Sequence, residues 1–94
     1  MLKDDPRIAI VLKSAAEFRS GQIDIDGLQA NLAAVDSALE GNVPLDVRKE
    51  IAEVEAQLEL LRFTSRDSAT VEKLLKGVEK VIEGHDRRLR AHFS

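Results

Sequence analysis

The stretch 23-IDIDGLQANLAAVDSALEG-41 places Ile25, Leu28, Leu32, Val35 and Leu39 at alternating steps of three and four, the spacing that lines a seam along one side of an α-helix. Its ends are marked as clearly as its face. Asp24 can accept hydrogen bonds from the first free amides, Ile23 stands where a hydrophobic staple would pack on Leu28, and Gly41 follows the last seam residue as a stop. Ala30, Ala33, Ala34 and Ala38 add helix propensity and permit close approach of a neighbour. A helix that is apolar along one stripe must bury it against something, and the rest of the chain offers three more such stripes.

Upstream, Pro6–Arg19 carries Ile8, Val11, Leu12, Ala15 and Phe18 on one face, with Asp4 or Asp5 as cap, Pro6 at the first helical position and Gly21 just past the end. Downstream, Pro44 or Asp46 opens a third helix running to about Phe63, whose seam is Val47, Ile51, Val54, Leu58 and Leu61. A second stripe on it, Ala52, Ala56, Leu60 and Phe63, predicts a helix touching neighbours on two sides and the most buried of the set. After a polar turn at Thr64–Ser68, a fourth helix runs to about Ala91 with Val71, Leu74, Leu75, Val78, Val81, Ile82 and Leu89; Gly84 weakens it, and fraying is expected from His85. No segment alternates as a strand does. The expectation is an all-α fold: one domain over residues 1–94, an up-down antiparallel bundle of three or four helices.

Composition agrees with a folded chain. Of the 94 residues 44% are hydrophobic and 33% charged, but only 3% are aromatic, so Leu, Ile, Val and Ala must build the core. With no cysteine there are no disulfides, thiolate metal sites or thiol nucleophiles. The apolar run after Met1–Pro6 is too short for a signal peptide or a membrane span, which makes the cytoplasm the expected location, with no membrane partner. A net charge of −3 argues against a nucleic-acid partner. The charge is unevenly placed: Met1–Leu61 holds twelve Asp or Glu against six Lys or Arg, and Arg62–Ser94 holds five against eight.

Motifs for chemistry are scarce. Asp24-Ile25-Asp26-Gly27 opens like a calcium loop, yet Leu28, Gln29 and Val35 stand where an oxygen ligand, a glycine and a glutamate belong, leaving helix capping. His85 and His92 share a helical face near Glu83 and Asp86, short of the ligand set of a zinc site. The serines lack a nucleophile elbow, and there is no phosphate-cradling glycine loop. Neither enzymatic activity nor a cofactor nor a metal is expected. Arg87-Arg88-Leu89-Arg90 reads as cations complementing the end of a helix dipole, with an acidic or nucleic-acid contact as the alternative.

The acidic face is the strongest candidate surface. Asp46, Glu50, Glu53 and Gln57 step by four, three and four along the third helix, and Asp36 and Glu40 lie on the second. Such a face is either solvated and partly neutralised by Arg48, Lys49 and Arg62, or a steering surface for a basic partner. Ala16-Glu17-Phe18-Arg19-Ser20-Gly21-Gln22-Ile23-Asp24, followed by Leu28 and an acidic helix pair, resembles small bacterial helical immunity proteins of the colicin-D-immunity-like group. The resemblance implies a protein that binds and blocks a bacterial toxin, using acidic residues against a basic active site, and the acidic face offers Asp36, Glu40, Asp46, Glu50 and Glu53 as the candidate partner-binding residues. The alternative is a structural or regulatory helical homodimer in which the third and fourth helices pair between chains.

Overall fold

The computed structural model describes residues 1–39, 43–64 and 67–93, with side chains as far as residue 89. A single 3-10 turn, Leu2–Asp4, leads into α1 (Pro6–Arg19), α2 (Ile25–Ala38), α3 (Leu45–Thr64) and α4 (Ser68–Phe93). There is no strand among the described residues, and the fold is the all-α bundle that the periodicity predicts. Among the described residues no helix is long and apolar enough to cross a membrane.

The caps explain where the helices start. The Asp5 carboxylate accepts the Arg7 amide at 2.8 Å, with Pro6 at the first helical position, and Asp24 accepts the Gly27 amide at 2.9 Å. The α1 terminus is closed by paired bonds, Gln22 N–H to Glu17 carbonyl and Gly21 N–H to Phe18 carbonyl. That arrangement needs a left-handed residue just past the helix, which Gly21 supplies with φ of 79°.

Polar pairs fix the directions. Arg7 donates to the Ala38 carbonyl and Asn31 to buried Ser14, so α1 and α2 are antiparallel; Arg62 meets Asp26, and His85 meets Asp46, which does the same for α2 with α3 and α3 with α4. Arg19 reaches Glu72 and Glu79 while Lys3 reaches Glu83, closing the ring between α1 and α4. Each helix therefore flanks two neighbours around one common core.

That core is the set of seams read from the sequence: Ile8, Val11 and Ala15 from α1, Ile25 to Leu39 from α2, Val47 to Leu58 from α3, and Val71, Leu75, Val78 and Ile82 from α4. One expectation is corrected. The second stripe of α3 is not a buried interface: Ala52 is half-buried, but Ala56 is exposed, Leu60 is 60% exposed and Phe63 79% exposed. In a four-helix ring the flanks of a single inward seam already touch both neighbours, so the opposite stripe faces water. The predicted stop at Gly41 lies outside the described residues, and α4 is helical through Phe93, past His85.

Gly84 sits inside α4, and a Cβ built there meets nothing within 4 Å. Replacing it with alanine is expected to raise the unfolding free energy by about 0.5–1 kcal/mol through reduced backbone entropy of the unfolded chain. A urea midpoint that stays put or falls would show that the position is not simply an unfilled helix site.

Candidate functional site

The acidic residues singled out from the sequence divide between two places. Asp46, Glu50 and Glu53 share the edge of α3 that borders α4. Asp46 receives both bonds from the His85 ring at 2.8 Å, which holds its carboxyl below the usual carboxylate range, with a smaller contribution from the Val47 amide. Glu50 is half-buried beside Gly77 of α4; a Cβ on that glycine would come within 3.2 Å of its carboxylate. Glu53 is exposed and accepts from Gln57 at 3.2 Å. Asp36 lies elsewhere, on the α2 flank that Asp26 and Gln29 turn towards α3, because residues 26, 29, 33 and 36 recur at helical steps. Glu40 lies outside the described residues.

The solvent side of α3 carries something the sequence reading had assigned to the interior. Leu60 and Phe63 stand exposed, and the Arg62 guanidinium lies 5.6 Å from the centre of the Phe63 ring. Glu53, Ala56 and Glu59 are exposed on the same helix. Arg62 itself is held by Asp26 at 2.8 Å and by Gln29 at 3.1 Å, and Gln29 in turn donates to Glu55 at 2.7 Å. This network ties α2 to α3 and fixes the helix end that presents Phe63. The signal for it was present in the sequence as a second apolar stripe, but periodicity does not say which stripe has a neighbour.

His85 has a partner that removes it from the metal pattern considered for it: it binds Asp46, and the His92 side chain lies outside the described residues. Asp86, the next residue, is fully buried, and its carboxylate accepts the amides of Leu2 at 2.7 Å and Lys3 at 3.4 Å. It caps the opening 3-10 turn from the far end of the chain. At the same end of the bundle an open cleft of about 310 Å³ is walled by Met1, Leu2, Asp5, Val43, Pro44, His85 and Leu89. Its walls are mainly apolar, and its two polar side chains are already engaged, His85 by Asp46 and Asp5 by Arg7. A small-molecule site normally adds several converging polar groups.

Two arginine clamps organise the opposite charges. Arg19 places its Nε between both oxygens of Glu72 at 2.9 Å and its two terminal nitrogens on Glu79 at 2.8 and 2.6 Å. The two carboxylates, Glu79 foremost, hold the guanidinium charged beyond its ordinary range, and Arg19 lowers Glu72. Arg7 binds Asp5 through Nε at 3.1 Å and a terminal nitrogen at 2.8 Å, and this hydrogen bonding brings Asp5 down from 3.8 to about 2. A folded-state value below the unfolded one means the clamp contributes above pH 4 and is lost as pH falls towards 2. Carboxyl NMR titration is expected to place the Asp5 midpoint near 2. A midpoint near the ordinary aspartate value would show that the clamp does not persist in solution.

Searches against protein-family models, characterised proteins and solved structures find no match for this chain.

Proposed function

We propose that the protein is a non-catalytic binding module that occludes a basic polypeptide, in the manner of an immunity-type inhibitor acting on a toxin. The observation that carries this reading is the solvent side of α3, where two large apolar side chains, Leu60 and Phe63, stand exposed on the helix that also presents Glu53 and Glu59. Buried aromatic and aliphatic anchors supply most of the energy of a protein interface, whereas surrounding charges set the encounter rate and reject wrong partners. A partner with an apolar notch and a lysine- or arginine-rich rim complements both. Asp46 and Glu50 extend the same negative potential along the α4 edge, with Asp46 reduced in strength by His85.

Capture from native cells tests the proposal with three baits: the natural chain, Leu60→Ser/Phe63→Ser, and Glu53→Lys/Glu59→Lys. The expected result is a basic polypeptide at one-to-one stoichiometry on the natural bait. Both variants should lose it while keeping their helical circular dichroism. Recovery of the chain alone, or equal capture by all three baits, would overturn the reading.

A further inference from the structure

The charges of α4 are sorted by direction. Each of its four carboxylates is engaged on the side of α1 and the opening turn: Glu72 and Glu79 hold Arg19, Glu83 holds Lys3, and Asp86 holds the amides of Leu2 and Lys3. The helix shows water Lys73, Lys76, Lys80, Arg87 and Arg88, all exposed. Within this ridge, Lys73, Gly77, Lys80, Gly84 and Arg88 recur at steps of four and three and so lie on one side of the helix. Gly77 is the point at which Glu50 of α3 approaches, so this side borders α3.

The α3 edge along that border has the opposite sign. Its levels are set to within about one helical turn, because α3 and α4 are antiparallel, Asp46 lies opposite His85 and Glu50 reaches Gly77. Counted from the first contact Glu53 is level with Val78, and counted from the second with Leu74, so it lies between Lys73 and Lys80. A strip with Asp46, Glu50 and Glu53, interrupted only by the exposed Lys49, and a basic strip thus run side by side at matching levels along one face of the bundle.

We infer that this α3–α4 face is an isologous interface that pairs the chain with a second copy of itself. A two-fold axis parallel to the helices lays the acidic edge of each copy on the basic ridge of the other and preserves the levels, so Glu50 and Glu53 meet Lys73 and Lys80 twice over. The other two-fold arrangement, α3 on α3, sets acidic strip against acidic strip and is repulsive. A long polyanion on the ridge would run alongside Glu50 and Glu53 and be repelled by them; a second copy matches both strips. Two helices side by side over the length of α3 offer roughly 600 Å² per copy, the lower end of what holds a specific dimer. The dimer rests on the charge pattern alone. Its consequence, that a basic partner must displace the second copy from Glu53, rests on the function proposed above.

A charge swap separates this from other self-association. Glu50→Lys/Glu53→Lys sets like charges together in its own dimer, and so does Lys73→Glu/Lys80→Glu; mixed, the two variants make every strip complementary again. Sedimentation at low salt is expected to show a reversible dimer for the natural chain. Its dissociation constant should weaken by about tenfold or more between roughly 0.02 and 0.5 M salt. Each variant alone should be monomeric, and their equimolar mixture should dimerise. Circular dichroism establishes that both variants are folded. A natural chain that stays monomeric at millimolar concentration, variants that dimerise unmixed, or a mixture that stays monomeric would each overturn the inference. None of these measurements involves the basic partner.

Discussion

Alanine in place of Asp86 is expected to release residues 1–5 from α4 and lower the unfolding free energy by about 2–3 kcal/mol, while the four helices remain folded. The Asp86 carboxylate is fully buried and its two acceptor bonds go to the amides of Leu2 and Lys3, so the substitution removes the one group that satisfies both donors. Once the turn detaches, those amides find water, which limits the loss to the docking of Leu2 and its neighbours. Hydrogen exchange distinguishes this outcome from general destabilisation: the amides of Leu2 and Lys3 should exchange at unfolded-chain rates, with the α2 and α3 cores protected. Asparagine at the same position retains one acceptor and should give a smaller change. Continued protection of Leu2 and Lys3 in the alanine variant would show that something else holds the opening turn.

Leu58→Ala is expected to cost about 3 kcal/mol, and Leu60→Ala, two residues away, less than about 0.5 kcal/mol. Leu58 is completely buried on the α3 seam, and its truncation leaves a cavity lined by side chains from the opposing helices. Leu60 faces water, so nothing packed is removed. Denaturant unfolding of the two variants tests whether α3 has one buried seam or two. Comparable losses would restore the second stripe as an interior surface and remove the main support for a partner-binding role of Leu60 and Phe63.

The helices were legible because their signals are local. Asp24 before an apolar seam, Pro6 after Asp5, and Gly21 past Arg19 each act within one helical turn, where sequence spacing and spatial distance coincide. What escaped was decided by neighbours. The two stripes of α3 are equally periodic, and only the closure of the ring selects which is buried. The same limit applies to the acidic edge: Asp46, Glu50 and Glu53 could be placed on one face, but not beside the cations of α4, because that juxtaposition depends on how two helices rotate about their axes. Asp86 could have been flagged. It stands four residues beyond Ile82 and three before Leu89, where an apolar residue would continue the α4 seam, and a carboxylate at such a place signals a buried partner. The partners, Leu2 and Lys3, are 84 and 83 residues away in the chain and leave no local trace.

That separation also imposes an order of events. Apart from α1 and α4, neighbouring helices in this bundle are consecutive in the chain, so most contacts form over short loops, a topology associated with fast folding. The opening turn, like the α1–α4 side of the ring, must wait for the last helix. It is made before all four helices yet is among the last parts to find its place, since its acceptor Asp86 follows Leu2 by 84 residues. During elongation α1 can already lie against α2, but its leading end stays undocked until α4 arrives to receive it.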